Sequence, residues 1–139
     1  MWFTPLLQSA VGSVTVQFLR PASDISAGAW TPSTGSSLFG TINETPADDA
    51  TYNTTPSAST FEVKLGAGAS PGVTTGHIVR YRAKGTGSLT VSLMQGTTVI
   101  ATATPSITAA YQTFTFTLTG AEAGNITDYT DLRLRFTST

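Results

Sequence analysis

Residues 112–119 read QTFTFTLT and residues 131–136 read DLRLRF, a strict two-residue alternation of polar and apolar side chains. On an extended strand successive side chains point to opposite faces, so each such segment buries one face and leaves the other outside. The same alternation recurs in TFEVKL (60–65), GHIVRYRAK (76–84) and GSLTVSLMQ (87–95), and no long stretch repeats its apolar residues at helical spacing. Thr alone makes up about a fifth of the chain, and β-branched and aromatic residues fill the periodic segments, as a pleated, half-buried surface favours. With VTVQFLR (14–20) and TTVIATAT (97–104), these segments predict an all-β domain, a two-sheet antiparallel β-sandwich with at most one short helical turn.

The turns suggest how the strands connect. Gly85-Thr86-Gly87 and Gln95-Gly96 each separate two strands, so residues 76–104 are expected to form an antiparallel meander, followed by a longer crossing at 105–110. Residues 21–59, rich in Pro, Gly, Ser, Asp and Asn, read as a loop excursion. Only SSLFGTINE (36–44), with Leu38 and Ile42 four apart, hints at a helical turn. A chain of 139 residues fits a single domain, taken as 14–139, with an N-terminal arm at 1–13. The opening MWFTPLLQSAVGS has no basic segment, and Pro5 interrupts an apolar stretch too short to span a bilayer, so neither a signal peptide nor an anchor is expected. Trp2, Phe3, Leu6 and Leu7 need covering, either by their own domain or by a neighbouring subunit.

Charged residues are 11% of the chain, against roughly 25% in typical soluble domains. A net charge of −1 removes the bulk electrostatic basis for binding nucleic acid or an anionic membrane. Six of the seven basic residues nevertheless lie on three alternating segments. There Phe61/Val63/Leu65, Val79/Tyr81/Ala83 and Leu132/Leu134/Phe136 face inward, while Lys64, Arg80, Arg82, Lys84, Arg133 and Arg135 face outward with Glu62. If these strands are neighbours, Lys64, Arg80, Arg82, Arg133 and Arg135 form one cationic face. Like charges across strands are unfavourable, so that face needs Glu62, Asp128 and Asp131, or acidic groups of another chain. The segments around Val91 and Phe116 expose Thr and Ser instead, giving a neutral second surface.

Catalytic chemistry finds little support. Cys is absent, His77 is the single histidine, and no G-x-S-x-G turn occurs, which argues against a nucleophilic triad and a dedicated zinc site. His77, at a strand start, reads as structural. Glu44, Asp48 and Asp49 crowd one loop and Asp128 and Asp131 another. Loop carboxylates of this kind usually bond nearby backbone amides, which outweighs glycosidase work; calcium held by their oxygens ranks above catalysis, although no EF-hand spacing is present. No cofactor and no metal is expected. Trp30, Tyr52, Tyr111 and Tyr129 lie in or beside loops, where they either cap the core or form a loop-end ligand site that could stack a sugar ring.

RPASDISAGAWTP, LFGTINETPADDATY, GHIVRYRAKGTGSLTVSLMQGTTVIATAT and ITDYTDLRLRFTST together resemble a family of small proteins encoded in tailed-phage and prophage structural modules, over the chain from about Arg20 to its end. The resemblance implies a jelly-roll, carbohydrate-module-like sandwich, localisation in the virion and no enzymatic activity. The expected role is a capsid cement or decoration protein. It would bind the major capsid protein or tail and neck proteins, and form a homo-oligomer, a trimer among the options, through the cationic face and an arm bearing Trp2 and Phe3. The alternative is a carbohydrate-binding or tail-fibre adhesin domain that recognises host glycans through the loop aromatics.

Overall fold

The computed structural model describes residues 2–4, 6–8 and 14–139, with side chains from Val16 onward. Among the described residues the strands are β1 (Trp2–Thr4), β2 (Leu6–Gln8), β3 (Val14–Val16), β4 (Pro21–Ser26), β5 (Thr31–Pro32), β6 (Asn53–Thr54), β7 (Ser59–Leu65), β8 (Ile78–Ala83), β9 (Leu89–Gln95), β10 (Thr98–Ala103), β11 (Gln112–Thr117) and β12 (Leu132–Ser138). A 3₁₀ turn, Phe39–Thr41, falls within the segment where a helical turn is expected. A second turn, α1 (Gly120–Gly124), begins at a capping box in which the Thr119 side chain accepts from the Glu122 backbone N–H and Glu122 reaches back to Thr119. The T-x-x-E signature is present in the sequence.

The fold is the expected all-β sandwich. One antiparallel sheet has the order β10-β9-β12-β7-β4, and a second has the order β1-β8-β11; β2 with β3 and β5 with β6 form two small ribbons. The chain passes between the sheets from β7 to β8, β8 to β9, β10 to β11 and β11 to β12, so that the last strand returns between β7 and β9. These repeated crossings give the jelly-roll character. The alternating apolar sets meet in one core: Val63, Val79, Val91, Leu93, Leu132 and Leu134 are fully buried, with Phe61, Tyr81 and Phe136 almost so. Across β12, Leu134 stands opposite Leu93 and Val63, and Phe136 opposite Val91 and Phe61.

Three expectations about the strands are corrected. Residues 76–104 are not one meander: β9 and β10 pair around Gly96, but β8 pairs with β1 and β11 in the other sheet. The Gly85-Thr86-Gly87 segment is therefore an arch between sheets. It is held where the Gly85 N–H donates to the Thr108 carbonyl at 2.8 Å and where Ser88 and Thr139 exchange backbone bonds at 3.1 and 3.0 Å. A Cβ on Gly87 would lie 2.3 Å from the Thr139 carbonyl oxygen, so glycine is required for this approach. The arch sets Tyr81 and Val91 across the core from each other, where a hairpin would have set them side by side. Both arrangements begin from the same local alternation.

The excursion at 21–59 also contains an edge strand. β4 pairs with β7 despite register breaks, and five of its six residues are exposed, so it shows no alternation to read. Conversely, the strand expected over 14–20 is reduced to β3. Within the expected arm, β1 pairs with β8, Trp2 opposite Arg80 and Phe3 opposite Val79.

Phe114 and Phe116 pack against the core but are only half-buried, because β11 ends its sheet and has a neighbour on one side only. Leu134→Ala, in the central strand, is expected to reduce unfolding free energy by about 2–5 kcal/mol through lost transfer and a residual cavity. Phe116→Ala should cost clearly less than the full-burial value for its size; urea titrations giving equal or reversed losses would contradict this placement.

Candidate functional site: the loop-end cleft

The five expected interface cations do not share a face. Lys64, Arg133 and Arg135 lie on the outer face of the five-stranded sheet, whereas Arg80 and Arg82 are on β8, in the other sheet. Trp2 and Phe3 are on β1; their side chains lie outside the described residues.

The first group is held internally. Arg135 donates through Nε to Glu62 Oε2 at 2.8 Å, and Arg133 reaches Glu62 Oε1 at 3.4 Å and Asp131 Oδ1 at 3.2 Å. Lys64 Nζ stands 3.5 Å from the same Asp131 oxygen. Register explains the contact, since Arg135 is directly opposite Glu62 and Arg133 opposite Lys64. Glu62 is only 5% exposed, so the two guanidinium groups compensate a carboxylate that has left water. Asp128 takes no part in this chain of contacts: its Oδ1 accepts from the Thr130 hydroxyl and N–H, which hold its pKa below the usual range.

On the other sheet, Arg82 pairs with Asp49 from the 41–58 loop, Nη2 to Oδ2 at 2.7 Å with Nε on Oδ1. That hydrogen bonding lowers the Asp49 pKa and raises that of Arg82. Tyr111 lies beneath two cations, with Lys84 Nζ 4.4 Å and the Arg82 guanidinium carbon 5.6 Å from its ring centre. Burial, then the charges of Asp49 and Tyr52, raise the Tyr111 pKa.

These contacts rim a cleft of about 810 Å³ at the end of the sandwich where β7, β9 and β11 begin and β8 and β12 end. Trp30, Tyr52 and Tyr111, three of the four loop aromatics, line it, and Phe61, Tyr81 and Phe136 form its floor. Trp30 is seated by its Nε1–H donating to the Ser59 carbonyl at 3.2 Å and by its ring against Phe61, 4.9 Å between centres. The turn that delivers it requires Gly28, whose φ is +55° and whose added Cβ would lie 2.3 Å from the Thr60 carbonyl oxygen. Tyr52, on the rim, is 41% exposed.

The loop wall is fixed by polar contacts. Asp24 accepts from the Leu38 and Phe39 N–H groups at 2.9 and 2.7 Å, Thr41 bonds Asn53 at 2.6 Å, and Asn53 donates to the Leu38 carbonyl. Glu44 Oε1 accepts from the Asp48 N–H at 3.2 Å and the Thr51 hydroxyl at 3.0 Å, while its Oε2 is buried without a hydrogen-bond partner. Asp48 Oδ1 accepts from the Ala50 N–H, the expected turn-capping role. Among the described residues no group of three or more His, Asp or Glu side chains is placed to hold a metal ion, and no helix is long and apolar enough to cross a membrane.

Tyr129 is not part of the cleft. It sits at the opposite end, ahead of β12, with its hydroxyl 2.7 Å from His77 Nε2; both residues are buried, His77 completely. The sequence signal for cleft membership of Glu44, Asp49, Tyr81 and Lys84 was weak, because they meet only through the arrangement of loops and strand ends. Compared with protein-family models, curated proteins and solved structures, the chain matches none.

Two outcomes follow for stability. Arg133→Ala with Arg135→Ala strands a buried carboxylate and should cost about 1–3 kcal/mol or more, and adding Glu62→Ala should recover part of the loss. No recovery in the triple variant would contradict the compensation. Burial lowers the His77 pKa below its ordinary 6.5, so the unfolded chain takes up a proton there before the folded one does. Its contribution to stability is thus lost as pH falls through about 6.5 toward the lower folded-state value. His77→Gln should flatten the dependence of unfolding free energy on pH between about 7 and 5.

Proposed function

We propose that the protein is a non-enzymatic virion module of a tailed phage that binds carbohydrate through its loop-end cleft. The observation that carries the binding role is the convergence of Trp30, Tyr52 and Tyr111, distant in sequence, on one cleft over an apolar floor. One exposed ring, Tyr52, and two half-buried ones, Trp30 and Tyr111, beside fixed polar groups suit the alternating apolar and hydroxylated surfaces of a sugar. The virion setting rests on the resemblance of the sequence from Arg20 onward. The non-enzymatic reading is supported by His77 being placed at the other end of the sandwich and by the engagement of Asp48 and Asp49 in loop contacts.

A second reading, a cement or decoration protein, has its own observation. Phe18 is 53% exposed and Val16 43%, beside the N-terminal strands, and such a surface suits contact with another virion subunit or a second copy of the chain. The cationic-face version of that reading is weakened for Lys64, Arg133 and Arg135 by their internal partners.

The two readings diverge on measurable ground. Binding of the purified protein to a glycan array, weakened by Trp30→Ala or Tyr52→Ala with the melting temperature of Tyr52→Ala held, is the expected result. Absence of glycan binding, together with hundreds of copies per particle lost on Phe18→Ser, would select decoration instead.

A further inference from the structure

Two polar groups in the cleft are left unanswered by the fold. Tyr81 is 2% exposed and lines the floor. Its ring is packed against Phe114 at 5.6 Å and edge-on to Phe136 at 6.2 Å, but its hydroxyl makes no hydrogen bond with the described residues. Burial alone pushes the phenol up to about 12. Glu44, on the loop wall of the same cleft, keeps Oε2 buried without a partner although Oε1 has two. Buried polar atoms are nearly always hydrogen-bonded, so the buried Glu44 oxygen, beside a Tyr81 hydroxyl that the fold also leaves unbonded, points to something that binds there.

The chemistry of the ligand follows from what each group can accept. A carboxylate oxygen only accepts, so the ligand must donate. A phenol both donates and accepts, as a sugar hydroxyl does. An anionic ligand is disfavoured: Glu44, Asp48 and Asp49 outnumber Arg82 and Lys84 in the lining, Arg82 is engaged by Asp49, and Lys84 lies over the Tyr111 ring. A wholly apolar ligand would leave Glu44 and Tyr81 unmatched, at the full cost of their lost hydration. Tyr52, exposed on the rim, offers a ring face for a flat C–H surface.

We infer that the cleft takes a neutral saccharide, with hydroxyls of the sugar donating to Glu44 Oε2 and bonding the Tyr81 hydroxyl, and a ring face resting on Tyr52. This rests on the carbohydrate reading above and narrows it to uncharged sugars and to two recognition residues outside the loop aromatics. Tyr81→Phe is the diagnostic change. It removes one oxygen that the fold leaves unbonded, so stability should hold or rise while binding weakens, a combination that a purely structural tyrosine would not give.

The test uses the full chain on an array carrying neutral glycans alongside sialylated and uronic-acid ones, followed by calorimetric titration of the best neutral oligosaccharide. Neutral glycans should dominate. Glu44→Gln, which turns the accepting Oε2 into a donor, should weaken binding about tenfold or more, the scale of a hydrogen bond to a charged group. Tyr81→Phe should weaken it severalfold with an unchanged or raised melting temperature. Preference for acidic glycans, or neutral binding that neither variant alters, would overturn this inference and leave the broader carbohydrate reading standing. Absence of binding to every glycan on the array would overturn both.

Discussion

The sandwich depends on the burial of β12 between β7 and β9. Leu132, Leu134 and Phe136 contribute three side chains that are at most 2% exposed, each stabilising by about 1.5–3 kcal/mol relative to exposure. The partners on β7 are remote in sequence: Thr60 and Thr137, 77 residues apart, bond through their hydroxyls at 2.9 Å. The larger sheet is therefore incomplete until residues 132–138 pair across it, a non-local closure that slows folding. Phe136 also stacks on Phe61 at 4.6 Å and meets the edge of Tyr81, so the same closure assembles the floor of the cleft. Fold and candidate site share their central strand.

Register on that strand is set from both faces at once. A slip of one residue would turn Leu132, Leu134 and Phe136 outward and drive Arg133 and Arg135 into the core. It would also remove the guanidinium groups from Glu62, which is buried in the native register and would be left without compensation. Apolar burial on one face and charge compensation on the other thus favour the same alignment. The alternation of DLRLRF has its physical explanation there. In a chain with so few charges, this cluster of Lys64, Asp131, Arg133, Glu62 and Arg135 stabilises one pairing and disfavours its neighbours.

The sequence disclosed which face of each strand is buried but not which strands are neighbours. Alternation is local, and the inward sets on β7, β8, β9 and β12 were all readable from it. Whether β8 and β9 are joined by a hairpin or an arch depends on what lies across the core, and neither residue pattern nor turn composition at Gly85-Thr86-Gly87 distinguishes the two. That one ambiguity split the presumed cationic face, sending Arg80 and Arg82 to the other sheet. β4 was illegible because an exposed, bulged edge strand has no alternation. The loop aromatics were more informative than a list of exposed rings suggests: Tyr111 precedes β11 and Tyr129 follows it, and a single strand crossing separates them by roughly 20 Å. The unpaired Glu44 oxygen and Tyr81 hydroxyl had no sequence signal, since satisfaction of a hydrogen bond is a property of the assembled interior.

The two ends of the sandwich solve the same problem differently. A two-sheet stack exposes core at both ends, and at one of them α1 and the following turn bring Ala123, Ile126 and Tyr129 into the core, with His77 hydrogen-bonded beneath. At the other, the 41–58 loop covers the core ends with few apolar side chains; residues 45–50 are exposed, and the loop is held by Glu44 Oε1, by Asn53 and by the Arg82–Asp49 pair. Segments fixed by exposed polar bonds, with little buried apolar surface, open at lower free energy than the core they border. An exposed ion pair such as Arg82–Asp49 adds at most a modest hold. A floor of three aromatic rings beneath a loop of that kind is less stable than a second apolar cap would be. The Glu44 oxygen without a partner lies at that same end, so both sacrifices of stability fall on the cleft, in keeping with the ligand site proposed there.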